Sequence, residues 1–386
     1  MHKQAAFTFA LLLTVSVAHA ADSFAIKAAG YLKPDGSVEK DITLLVIDGK
    51  IGAIGSDVSV PKGVAIVDRS KHMIGPGLVD VHTTLGTNGR NFERAHSVEA
   101  DAAAKNLFDP HHHDFKEAAA AGITTVMIAP ASTHMIGGRT VVVKTGGPLD
   151  RRMLGDGPLK LSLTRAAFNM RRTPTSLTGG LSDLRRMIAA AEKNKKDQSA
   201  FARWARGETH ALVEVGTPEG VSTLAQFAEE QGVKCVALYA NQAAERLEDA
   251  KSLGQPVVLG TYEFSDPRRY TRNPSILAAN DISFALTSSA PRYQSALLRV
   301  GAAMVMKQGA PRSAVAAALT TVPAEIAGVT KRVGTLEPGK DADFILYDGD
   351  PLDLRSRIRA VFISGERVHV NEALAAHDGE QEGGKS

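Results

Sequence analysis

The chain has 386 residues with 45 basic and 42 acidic side chains, a formal net charge of +3. That balance argues against nucleic acid or an anionic membrane as a partner, and no internal segment comes near the ~18 unbroken apolar residues of a bilayer span. A single cysteine, Cys235, excludes an internal disulfide, so stability must come from the core. In its apolar run, 233–238, that cysteine reads as a small buried hydrophobe rather than a nucleophile.

Residues 1–20 have the form of a secretory signal. Lys3 supplies a short positive region, 5–17 an apolar stretch, and Ala18-His19-Ala20 a small-x-small cleavage site. The expectation is an exported protein, periplasmic or secreted, with a soluble mature chain. From 24 to 67 the pattern is strand and turn: strands are predicted at 24–31, 42–47 and 50–54, with Pro34-Asp35-Gly36 and Asp48-Gly49 as hairpin signals. Residues 342–347 and 360–365 have the same character. Pieces of two or three strands are marginal alone, so the two chain ends are expected to join in one small β-sandwich.

Between 73 and about 330 short apolar runs alternate with longer helical stretches. Strands are predicted at 78–81, 123–128, 159–163, 211–215, 234–238, 256–259 and 282–286, and helices at 111–121, 181–195, 218–231, 242–253, 293–308 and 312–319. Such alternation predicts a parallel sheet, and this many units favour a closed, TIM-like (β/α)8 barrel. Seven strands are legible, so one is hidden or the barrel is distorted. The expected organisation is a signal peptide (1–20), an N-terminal sandwich segment (21–72), the barrel (73–334), a C-terminal sandwich segment (335–370) and a polar, disordered tail (371–386).

The stretch 74–86, Ile-Gly-Pro-Gly-Leu-Val-Asp-Val-His-Thr-Thr-Leu-Gly, carries the main chemical signal. The Pro76-Gly77 turn hands over to an apolar run with the length and composition of a strand buried on both faces. The run ends on His82, and the C-terminal ends of buried parallel strands are where α/β barrels place their chemistry. The wording resembles the first barrel strand of the amidohydrolase superfamily, Pro-Gly-(Leu/Phe)-(Ile/Val)-Asp-x-His-x-His, with Thr84 in place of the second histidine. Further resemblances are Lys50-Ile51-Gly52-Ala53-Ile54-Gly55, Ala121-Gly122-Ile123-Thr124-Thr125-Val126, and Val333 to Asp343, which is similar to the family's Gly-Ser-Leu-x-x-Gly-Lys-x-Ala-Asp signature. Met135-Ile136-Gly137-Gly138 with Val143-Lys144-Thr145 resembles elements of the imidazolonepropionase-related subgroup.

The resemblance implies a divalent metal such as zinc. Its ligands would be two histidines on the first strand, a carbamylated lysine or a glutamate on a middle strand, one histidine on each of two later strands, and an aspartate on the last. Carried over position by position, His82 is the one surviving ligand, and Thr84 replaces its partner. Lys160 stands on the middle strand, Glu214 and Tyr239 stand where the later histidines are expected, and Ser289 replaces the aspartate. In the family that aspartate binds metal and takes a proton from bound water, and serine does neither at neutral pH. One imidazole does not hold a zinc-type ion, which wants three or four protein ligands. The expectation is therefore that no metal cofactor is retained.

His134, just ahead of Ile136-Gly137-Gly138, is a further candidate for lining the pocket. His82 also has a bland reading as a hydrogen-bonded core histidine. His111-His112-His113 fall at a helix start and fan out around the first turn, which suits a solvated helix end better than a metal-binding tract. The sequence has no Gly-x-Ser-x-Gly elbow, no His-Glu-x-x-His and no Walker loop.

Two functions follow. The favoured one is a catalytically degenerate family member that binds a small molecule or acts as a partner, in a homo-oligomer or beside an active amidohydrolase. The alternative is an active amidohydrolase, hydrolysing C–N bonds, with an atypical metal site or a metal-free acid/base pair drawn from Lys160, Glu214, Tyr239 and His82.

Overall fold

The computed structural model describes residues 23–88, 95–168 and 171–371. The signal-like segment 1–20, and all of the expected tail but Asn371, lie outside the described residues. Numbered in chain order, the strands are β1 (Phe24–Leu32), β2 (Val38–Ile47), β3 (Lys50–Gly55), β4 (Ala65–Pro76), β5 (Leu78–Thr83), β6 (Ile123–Ile128), β7 (Ile136–Lys144) and β8 (Met153–Ser162). They continue with β9 (His210–Glu214), β10 (Lys234–Leu238), β11 (Val257–Leu259), β12 (Phe284–Leu286), β13 (Phe344–Tyr347), β14 (Ile358–Ile363) and β15 (Glu366–Val370).

Both chain ends enter one seven-stranded sheet in the order β15-β14-β13-β4-β1-β2-β3. Asp48 and Gly49 both adopt positive φ, the conformation a two-residue hairpin requires between β2 and β3. β4 is not legible as a strand because its first half, Ala65 to Lys71, is mostly exposed and does not alternate. It lies parallel to β1 and then antiparallel to β13, so it is the seam between the N-terminal and C-terminal strands. It runs to Pro76, and Gly77 is the hinge into the barrel. Ile26, Leu44, Ile74 and Phe344 pack on the inner face of this sheet.

The second sheet has eight strands in sequence order, β5 to β12. Its two ends are stitched into a nearly closed barrel. The Thr84 N–H donates to the Ala290 carbonyl at 2.9 Å, and the Asp80 carboxylate accepts from Thr287 Oγ1 and Ser288 Oγ, each at 2.5 Å. Val79, Val81, Met127, Leu212, Val236 and Val258 fill the interior, so the barrel is a packed core and not a pore. Ala324 and Ile326, on the short helix Thr321–Ile326, join this cluster.

The expectation of a wholly parallel barrel is corrected by β7, the strand hidden from the sequence pattern. It pairs antiparallel with both β6 and β8. The seven residues between β6 and β7 are too few for a crossover helix, which leaves a hairpin as the available connection. Elsewhere the βα alternation holds. The helix Pro218–Gln231 has the predicted bounds, with Thr217 capping its N-terminus, Pro218 in the first turn and Gly232 left-handed at the end. The helix Arg268–Ala278 is absent from the sequence expectation, since it is polar and carries Pro274.

A buried ionic junction joins the two sheets. Lys144, at the end of β7, donates to Asp343 Oδ1 at 2.8 Å and Ser364 Oγ at 2.9 Å, and its ammonium lies 2.7 Å from Asp341 Oδ2. Arg332 donates to the same Asp341 carboxylate. The Val143-Lys144-Thr145 and Lys340-Asp341-Ala342-Asp343 elements are thus two halves of one structural contact.

Candidate active site at the barrel mouth

His82 lies at the end of β5, where pairing with β6 slips between Asp80 and Thr83. A register slip of this kind re-aims the side chains around it. Asp80, one pleat earlier, is fully buried and also accepts the N–H groups of Ser288 at 2.9 Å and His82 at 3.2 Å. Burial pushes the Asp80 carboxyl up, against these hydrogen bonds. The carboxylate fixes the ends of β5 and β12 against each other.

From that anchor a chain of polar side chains crosses the mouth. Tyr239 Oη is 3.0 Å from His82 Nδ1 and 2.9 Å from Ser289 Oγ. Ser289 Oγ lies 3.0 Å from Thr261 Oγ1, which donates to the Ser288 carbonyl at 2.6 Å. Tyr239 and Ser289 both have left-handed backbones, with φ of 57° and 56°. For non-glycine residues that conformation is disfavoured and persists only where the surroundings enforce it, a pattern that clusters at functional sites. Gly260 makes room for the phenol: a Cβ there would meet the Tyr239 ring at 2.6 Å.

The other half of the mouth is an ion pair. Lys160, 1% exposed, donates to Glu214 Oε2 at 3.0 Å and to Ser132 Oγ at 3.3 Å. Burial alone would push the Glu214 carboxyl up, but the Lys160 ammonium, with Ser132 and His82, outweighs it and holds the group below its ordinary value. Burial, reinforced by Lys160, pushes His82 down to about 3, so the imidazole is neutral at physiological pH. Burial likewise pushes the Tyr239 phenol up, and it stays protonated. His82 Nε2 is buried and has no hydrogen-bond partner among the described residues.

The structure therefore gathers His82, Tyr239 and Ser289 into one hydrogen-bonded chain, with Lys160 and Glu214 close enough to act on the imidazole electrostatically. Thr84 is held at the seam through its backbone. His134 is buried on the loop after β6, its Nδ1 3.5 Å from the Ala131 carbonyl. Sequence reasoning missed Ser132 and Thr261, ordinary loop hydroxyls with no motif to mark them. Away from the mouth, His112, His113 and Asp114 bring three ligand atoms within 4.8 Å of one another. There His112 Nδ1 accepts the Asp114 N–H at the start of the helix His113–Ala120. Buried Cys235 has its thiol pushed up to about 12 and is not a nucleophile. No helix among the described residues is long and apolar enough to cross a membrane.

The model of the Amidohydrolase family matches residues 180–369. An amidohydrolase from Thermotoga maritima MSB8 shares the fold with a TM-score of 0.80 at 24% identity, over 90% of this chain and all of that one. A beta-aspartyl dipeptidase from Fervidobacterium islandicum AW-1 shares it at 0.58 and 16%, over 90% and 97%. Dihydroorotase of Mycobacterium tuberculosis is 32% identical over 111 residues, 29% of this chain and 22% of its own length. Amidohydrolase tasK of Hapsidospora irregularis is 22% identical over 79% of this chain and 37% of its own. This chain thus spans well under half the length of these curated relatives. The family match covers just under half of the chain, and the fold shared with an amidohydrolase extends over 90% of it.

Proposed function

We propose that this protein is an exported amidohydrolase-superfamily member whose barrel mouth uses the Lys160 ammonium as its cation, and that it binds a small molecule or a partner without hydrolysing it. The observation that carries this reading is the 3.0 Å Lys160–Glu214 ion pair, its ammonium buried and its carboxylate still partly open to solvent, beside a lone neutral imidazole. The donor set does not fit a zinc-type ion. His82 offers one nitrogen, Tyr239 is a phenol, Ser289 is a hydroxyl, and a fixed ammonium repels a second cation in the same space. Glu214 and Ser132 take two of the three ammonium donors, which leaves one for a ligand carbonyl or carboxylate.

The alternative, an active hydrolase drawing on these same side chains, has one observation in its favour: the unpartnered buried Nε2 of His82. Elemental analysis of the purified protein, with hydrolysis of an amide panel including dihydroorotate, separates the two. The panel is chosen because relatives are named dihydroorotase and L-hydantoinase. The expected result is well under one equivalent of zinc, manganese or nickel and no turnover. A stoichiometric metal lost on His82→Ala would overturn the proposal. Turnover without metal, abolished by Glu214→Gln, would establish the alternative. The export arm of the proposal is checked by fractionation: the mature protein should leave the cell with the periplasmic or secreted fraction.

A further inference from the structure

Tyr239 and Ser289 stand at two strand ends where the sequence departs from the amidohydrolase ligand pattern, and in the fold they are bonded to each other. Both have left-handed backbones, and the phenol ring is seated against Gly260, so their approach to His82 is built into the chain path. The hydrogens along this contact can be counted. A phenol has one, a serine hydroxyl has one, and a neutral imidazole has one for its two nitrogens. Tyr239 gives its hydrogen to Ser289 Oγ at 2.9 Å. That hydrogen is then not free for His82 Nδ1, which lies 3.0 Å from the same phenol oxygen. The second contact is a hydrogen bond only if Nδ1 carries the imidazole hydrogen and donates it to Tyr239.

We infer that Tyr239 and Ser289 are positioning residues that fix the proton of His82 on Nδ1, so that the buried Nε2 meets a ligand as an unprotonated acceptor. Without Ser289 the polarity would run the other way, because a phenol is the better donor of the pair and an unprotonated imidazole nitrogen the better acceptor.

The tautomer sets what the mouth selects. Nε2 has no hydrogen-bond partner among the described residues, and an unmet buried acceptor favours a ligand that brings a donor. One Lys160 hydrogen is left for an acceptor on the same ligand. The charges of Lys160 and Glu214 cancel, so a net charge on the ligand would enter the mouth without a counter-ion. The ligand class is a neutral molecule with an O–H or N–H donor beside a carbonyl group. This inference rests on the reading of the mouth as a metal-free binding site.

The test is nitrogen NMR on the full chain with isotopically labelled histidine, at about pH 8, above the ordinary imidazole value of about 6.5. His82 is assigned by the signals lost in His82→Gln. The expected result is a proton on Nδ1 and a pyridine-like Nε2. Ser289→Ala should move the proton to Nε2, since the phenol hydrogen then turns to Nδ1, and Tyr239→Phe should leave the two tautomers mixed. A proton on Nε2 in the parent would overturn the inference, as would one that stays on Nδ1 in a Ser289→Ala protein that circular dichroism shows to be folded. The probe for the ligand class is N,N-dimethylglycolamide, whose only donor is a hydroxyl beside a carbonyl, against its O-methyl ether. The hydroxyl compound should shift Nε2 saturably and bind about tenfold more tightly, the loss expected for one hydrogen bond to a buried acceptor. Equal binding of the ether, or no saturable shift with either compound, defeats the ligand class. Elemental analysis of the same sample keeps the two readings apart. A stoichiometric metal defeats the function proposed above, whereas a metal-free protein with its proton on Nε2 defeats this inference alone.

Discussion

Lys144 and Lys160 stand on neighbouring strands of the barrel, each 1% exposed and each neutralised by carboxylates, yet their surroundings differ. Lys144 has a partner for every ammonium hydrogen: Asp341, Asp343 and Ser364, all within 2.9 Å. Lys160 has Glu214 at 3.0 Å and Ser132 at 3.3 Å, and its carboxylate partner keeps 13% of its side chain exposed. A fully satisfied buried ion holds two sheets in register, because any other arrangement strands a charge in the core. A partly satisfied one at a strand end keeps capacity for a visitor. Burial and charge alone do not separate a structural lysine from a site lysine; the count of unused donors does.

The largest expected effect that breaks this comparison is Lys144→Met, which leaves Asp343 in the core without its cation, while Asp341 keeps Arg332. Burial already pushes Asp343 up, and removal of one partner of a buried pair costs about 3–5 kcal/mol. Urea unfolding should show that loss, and a loss under 1 kcal/mol would mean that water replaces the ammonium and the junction is not dry.

Lys160→Met should cost less, about 1–3 kcal/mol, since Glu214 can hydrate or take up a proton. The pH dependence gives a sharper readout. With Lys160 present, the Glu214 carboxyl is held low, so its contribution is full above the unfolded pKa and lost as pH falls. Without Lys160 burial remains the largest influence, opposed by the Ser132 hydrogen bond and His82; the carboxyl rises and the sign reverses, so that stability is lost as pH increases through the folded value. Identical slopes in the two proteins would show that Glu214 is solvated and not paired.

The most local effect belongs to His82. Its folded pKa of about 3 lies below the unfolded value of about 6.5, so the unfolded chain binds the extra proton between them. Stability is full above about pH 6.5 and should fall on acidification, by at most about 1.4 kcal/mol per pH unit from this group. His82→Gln should flatten that stretch of the curve relative to the parent. A parent curve already flat from pH 6.5 to 4 would mean that the imidazole is protonated in the fold and pairs with Glu214.

What the sequence by itself determined was periodicity and local chemistry. The β-rich ends, the βα alternation, the helix at 218–231 and the strand-end positions of His82, Lys160, Glu214, Tyr239 and Ser289 all follow from patterns a few residues long. Burial preference and turn chemistry are local properties, so they can be read locally. The tertiary structure alone decided direction and partnership. The apolar run of β7 looks the same whichever way it pairs, and its reversal came from the short connection on one side and the sheet it had to complete. His82 meets Tyr239 across 157 residues, Lys160 meets Glu214 across 54, and Lys144 meets Asp343 across 199. Ser132 and Thr261 join the mouth only because their loops close over it. A side chain's type says what bond it is able to make, and the path of the backbone says with which atom, because hydrogen bonds and ion pairs act over about 3 Å and the chain must first bring both groups there.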